Sequence, residues 1–164
     1  MLKKRLANAG LFQLGWFACV LGGNSSWLWL AGAALLIHLL WISRSWSEVH
    51  LVICICLLGT VVDSLLLNLG VFEFKQPGVL VPLWLAVLWA VFAITLRYCL
   101  AWTAHPMWRA ALLGAISGPL SYYAGQRLGA VQFPFGLWPT LVGLGVLWAG
   151  LFPTLQWLAG KQHE

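Results

Sequence analysis

Asp63 lies in the stretch "GTVVDSLLLNLGVFEF", from Gly59 to Phe74, which otherwise reads as a helix made for lipid. An ionised carboxylate in such a helix costs about 2.5–3.5 kcal/mol on insertion scales, so its position asks for a partner or a use. On a helix its same-side neighbours are Cys56, Gly59, Thr60 and Leu67, while Ser64 and Asn68 share an adjoining face. That side is small and polar, and it should face protein rather than lipid.

The segment "GAISGPLSYYAGQRLG" offers the matching surface. Gly114 and Gly118 are four apart, and Ser117, Ser121 and Gly125 repeat the spacing. The third and fifth apolar segments are therefore expected to touch along Gly59, Thr60, Gly114, Gly118 and Ser121. Pro119 removes a backbone hydrogen bond and can kink its helix. Above this face stand Tyr122, Tyr123, Gln126 and Arg127. The expected site is a polar pocket lined by Asp63, Asn68, Tyr122, Tyr123, Gln126 and Arg127, with Glu73 at its mouth. Such a pocket would take a ligand or a lipid headgroup, or handle a proton. The plainer alternative is a protonated Asp63 that hydrogen-bonds a tyrosine or glutamine and locks the bundle. Arg127 either reaches Asp63 or Asn68, or snorkels outward to phosphates.

Other reactive residue types carry less. His38, His50 and His105 match no metal spacing, and only Glu48 accompanies them. Cys19, Cys54, Cys56 and Cys99 fall inside apolar runs and read as small buried hydrophobes. No G-x-S-x-G, H-E-x-x-H, P-loop or dinucleotide fingerprint is present, so no catalytic residue, metal or cofactor is assigned. The nine Lys and Arg residues fall between apolar segments without forming one basic face, which argues against nucleic acid.

The elements that hold these residues follow from composition. The 164 residues are 62% hydrophobic and 8% charged, with mean hydropathy +0.88. A water-facing domain carries about 25% charged residues. The reading is an all-α membrane protein with six spans at roughly 6–22, 27–42, 49–72, 79–102, 108–126 and 138–158. Short connections rich in Gly, Pro and Ser predict an up-and-down bundle over 1–164 as one domain. With both termini cytoplasmic, Lys3, Lys4, Arg5, Arg44, Arg97, Arg109 and Lys161 fall inside, and Lys75 and Arg127 outside. The basic, apolar start lacks an A-x-A-like cleavage site and reads as an uncleaved first span. Trp27, Trp84 and Trp138 at one set of ends, and Trp41, Trp46, Trp102, Trp108 and Trp157 at the other, read as belt anchors.

A shift of 59 residues lays "LGVFEF" on "LGAVQF" and one "VLWA" on the other, with eight identities between 69–90 and 128–149. Residue usage alone would give about two. Two hairpin repeats, spans three-four and five-six, are one explanation; a shared way of turning at the outer surface is the other. In this register Asp63 aligns with Tyr122.

The runs "LFQLGWFACVLGG", "GTVVDSLLLNLGVFEF", "PLWLAVLWAVFAITL" and "LLGAISGPLSYYAGQRLGA" together resemble the family of bacterial inner-membrane proteins filed as domain of unknown function 2878. The resemblance implies a multi-pass protein of the bacterial inner (plasma) membrane with no established activity. Through neighbouring genes of the cyclopropane-synthase type, it also implies a place in lipid modification or membrane stress. The expected function is lipid binding, or accessory service to a lipid-modifying enzyme, with membrane lipids as partners. The alternatives are a small-solute or proton-coupled transporter using Asp63, and an intramembrane lipid-modifying enzyme with Asp63 or Glu73 as acid-base group. A carrier usually has broken helices; from sequence only Pro119 and Pro153 offer breaks.

Overall fold

The computed structural model describes residues 2–161. It contains six α-helices: α1 (Leu2–Gly22), α2 (Leu28–Ile37), α3 (Trp46–Asn68), α4 (Leu83–Ala93), α5 (Trp108–Arg127) and α6 (Leu137–Lys161). Among the described residues there is no strand, only one antiparallel bridge between Glu73 and Gln132. Consecutive helices pair as hairpins, α1 with α2, α3 with α4 and α5 with α6, and α4 also packs on α1 and α2. Ser45 starts α3 by accepting the Ser47 N–H on its side chain, which satisfies one of the orphan donors of a helix start.

Two elements depart from the expected spans. The second helix continues beyond Ile37 as a π-helix, His38–Ser43, and Arg44 stops it in the left-handed region at φ 55°. The fourth is regular only to Ala93; tight turns follow, then a 3₁₀ turn at Ala101–Thr103. No proline or glycine lies between Ile94 and Thr103, so the cause is tertiary. Asn8 of α1 donates to the Ile94 carbonyl at 2.9 Å and accepts the Cys99 N–H at 3.2 Å. Gln156 of α6 donates to the Leu96 and Leu100 carbonyls and to Thr103 Oγ1. Side chains from both flanks thus take over bonds that a helix would supply internally. Pro119 and Pro153, the breaks expected from sequence, lie within uninterrupted α5 and α6.

The small-residue faces do not meet each other. Any Cβ on Gly59 would run into the Trp89 indole of α4, and on Gly118 into the Trp148 indole of α6. Gly114 lies against the Trp148 carbonyl and the Phe152 side chain. Each glycine thus admits a bulky residue from its own hairpin partner, which replaces the expected α3–α5 seam.

Local geometry repeats at an offset of 59. The amides of Leu69, Gly70 and Val71 bond the carbonyls of Leu65, Leu67 and Leu66; those of Leu128, Gly129 and Ala130 bond Ala124, Gln126 and Gly125. Gly70 and Gly129 both take positive φ, 74° and 76°, a conformation that glycine adopts without a Cβ penalty. Gly59 under Trp89 corresponds to Gly118 under Trp148. Equivalent residues also touch one another. Glu73 and Gln132 exchange backbone bonds of 3.0 and 2.8 Å, Tyr122 reaches Asp63 at 2.7 Å, and Trp89 stacks on Trp148 at 5.3 Å and 4°.

Candidate functional site

Asp63 is fully buried, five residues before the end of α3. That is about 7.5 Å of helix, closer to the α3 C-terminus than the expected span bounds placed it. One carboxyl oxygen accepts the Trp89 indole N–H at 2.7 Å and the other accepts the Tyr122 hydroxyl at 2.7 Å. The group therefore ties three helices, α3, α4 and α5. Tyr122 was in the expected lining; Trp89 was not. Trp89 is 3% exposed, and its role was hidden among twelve tryptophans, most of which read as membrane-belt anchors. The 59-residue register pairs Trp89 with Trp148, and that was the available clue.

The remaining expected residues do not converge on Asp63. Asn68 is exposed and donates to the Ser64 and Val79 carbonyls, fastening the end of α3 to the following loop. Glu73 is exposed, held by its backbone to Gln132. Tyr123 and Gln126 are half-buried, and Arg127 is exposed at the end of α5. Among the described residues Arg97 pairs with Glu48 and His38 hydrogen-bonds the same carboxylate, and Arg127 does not pair with Asp63.

Those contacts belong to a second buried polar cluster, at the end of the bundle where α1 begins and α6 ends. Asn8 and His38 are fully buried and Glu48 is 1% exposed. Asn8 Nδ2 lies 3.2 Å from His38 Nδ1. Because Asn8 Oδ1 accepts the Cys99 N–H, Nδ2 is the donor side and His38 Nδ1 accepts. The ring proton then sits on Nε2, which donates to Glu48 Oε1 at 3.2 Å. Glu48 Oε2 accepts from Arg97 Nη1 at 3.1 Å. His38 opens the π-helical segment; π-bulges recur at functional sites. In sequence the four residues lie far apart, and only the His38–Glu48 pairing had a hint.

Between α1, α4, α5 and α6 lies a cavity of ≈ 460 Å³. Phe12, Trp16, Leu88, Trp89, Leu113 and Trp148 are among its lining residues, with Gln13, Ser117 and Ser121 as polar points. Trp16 donates to Ser121 Oγ at 2.9 Å. The Trp148 indole N–H is buried, with the Tyr122 hydroxyl as the neighbouring acceptor. The arrangement can accommodate an apolar chain. Among the described residues no three His, Cys, Asp or Glu side chains assemble as a metal site.

Fold and cavity define an all-helical protein in which two helices, Trp46–Asn68 and Leu137–Lys161, are long and apolar enough to cross a membrane by length and composition. The chain belongs to the family described as "Protein of unknown function (DUF2878)", whose model matches residues 5–154. No curated protein and no solved structure matches it.

Proposed function

We propose that this chain is a multi-pass inner-membrane protein, with six helices spanning the bilayer up and down, that binds the apolar chain of a membrane lipid in the cavity between α1, α4, α5 and α6. Its inside-out distribution supports the membrane reading. Trp29, Leu40, Leu57, Val142 and Val146 face outward, while Asn8, His38, Glu48, Asp63, Thr95 and Gln156 are buried. Water would favour the reverse. The irregular backbone after α4 is compatible with membrane depth because α1 and α6 side chains satisfy it. The α3–α4 and α5–α6 hairpins are then repeats around a pseudo-two-fold axis, since contacts between equivalent residues are what such an axis produces.

The observation that carries lipid binding is the cavity itself. Its ≈ 460 Å³ lies in the 300–1,000 Å³ range of small-molecule sites. Its wall is aromatic and aliphatic, with Gln13 and Ser117 as polar points for an ester or hydroxyl oxygen. Native mass spectrometry of the detergent-purified protein tests this. Lipid adducts should persist in the wild type and be lost in Leu88→Trp/Leu113→Trp, which fills the space. Equal adducts in a folded double variant would contradict the proposal.

A carrier is the second reading, favoured by the interrupted α4 and by the repeat contacts at Asp63 and Trp89, both features of transporter folds. Asp63→Asn separates the two. Lost complementation of a deletion strain with lipid adducts intact would favour transport.

A further inference from the structure

We propose a phosphate-binding site at the end of the bundle where α6 finishes, formed by Arg97, Lys161 and His105. A cleft of ≈ 480 Å³ opens there between the irregular segment after α4, the approach to α5 and the last turns of α6. Arg97, His105, Met107, Gln156, Trp157 and Lys161 line it, and among the described residues no Asp or Glu does. It shares no residue with the aromatic cavity, so the site stands apart from the lipid-chain reading.

Arg97 is the built part of this site. Its side chain is 7% exposed. Nη1 donates to Glu48 Oε2 and Ser47 Oγ, and Nε donates to the Ala159 carbonyl. Nη2 is buried and has no partner among the described residues. A buried guanidinium nitrogen lacking an acceptor is costly, and the guanidinium fork matches phosphate oxygens in shape and charge. Glu48 offsets part of the Arg97 charge, so the anion depends equally on Lys161. The Lys161 ammonium rests 4.2 Å above the Trp157 ring centroid, which holds it at the cleft. Met107 sits at the N-cap of α5, so the positive end of that helix dipole adds to the same field. A lipid headgroup phosphate and a free phosphate present the same chemistry to these groups.

The test is binding to the full chain in non-ionic detergent, read by calorimetry, with three probes: inorganic phosphate, micelles containing phosphatidylglycerol, and micelles containing diacylglycerol as the phosphate-free control. The wild type should bind one or both phosphate probes and not the control. Lys161→Gln/His105→Gln, two positions at the end of the bundle, should weaken that binding at least tenfold, and so should Arg97→Lys. Binding of inorganic phosphate identifies a soluble source; binding of phosphatidylglycerol alone identifies a headgroup. If Arg97→Lys does not fold, the double variant carries the test. Binding of neither phosphate probe, or unchanged affinity in the folded double variant, would overturn the site.

Discussion

At the scale of single residues, Asp63 decides most. Two donors converge on it, the Trp89 indole and the Tyr122 hydroxyl. Asp63→Asn keeps an acceptor for Trp89, and its amide can donate to the Tyr122 hydroxyl, so stability should change little. Asp63→Leu strands both donors in a buried place, at about 1–3 kcal/mol each. Thermal unfolding in detergent should therefore separate the two variants clearly; similar midpoints would mean that the cluster contributes nothing. The glycines give a second prediction. Gly118→Ala places a Cβ into the Trp148 indole, and overpacking of this kind costs about 1–3 kcal/mol. Gly143→Ala, with open space at the Cβ position, is the control that should unfold like the wild type. The Tyr122 partner was legible because the fifth apolar segment was expected beside the third, with Tyr122 in the pocket lining. Trp89 was not, because a tryptophan in an apolar run reads equally well as an anchor or as core.

At the scale of elements, the interruption of α4 is the feature that sequence concealed. "ITLRYCLA" is apolar and free of helix breakers, and its local propensity continues the helix. Buried amides on two other helices redirect it. Asn8→Ala should leave the Ile94 carbonyl and the Cys99 amide unpaired and cost about 1–3 kcal/mol for each buried group. Hydrogen exchange should then quicken across 94–103 while the loop around Gly129 stays protected as before; uniform quickening would show that Asn8 serves global stability alone. The glycine faces teach a related lesson. Their spacing announced a close approach but did not name the visitor. The visitors are Trp89 and Trp148 from the hairpin partners, side chains large enough to fill grooves that two backbones were expected to share.

At the scale of the whole molecule, helix number and order were legible from apolar segments and turn residues, and the 59-residue repeat offered the α3–α4 and α5–α6 hairpins as one explanation; the packing of α4 on α1 and α2 was not legible. The proposed topology, with both termini cytoplasmic, predicts that alkaline-phosphatase fusions at Gln76 and Gln132 are active and a fusion at Ser45 silent; the reverse pattern would invert the charge-based topology. The two loops that carry Gln76 and Gln132 are also joined. Cysteines replacing Glu73 and Gln132 should cross-link through a short bifunctional reagent, because the two residues exchange both backbone bonds, which sets their Cα atoms about 5.5 Å apart. The central claim is that a lipid chain occupies the aromatic cavity, and its most direct test is to map where that chain lies. Phosphatidylethanolamine carrying a photoreactive diazirine on one acyl chain would be incorporated with the protein into bilayers, irradiated, and the labelled residues located by peptide mass spectrometry. The account predicts label on Phe12, Leu88 and Leu113, lost in Leu88→Trp/Leu113→Trp. Label confined to outward-facing positions such as Leu57, Leu65 and Val142, and unchanged by that double variant, would contradict it.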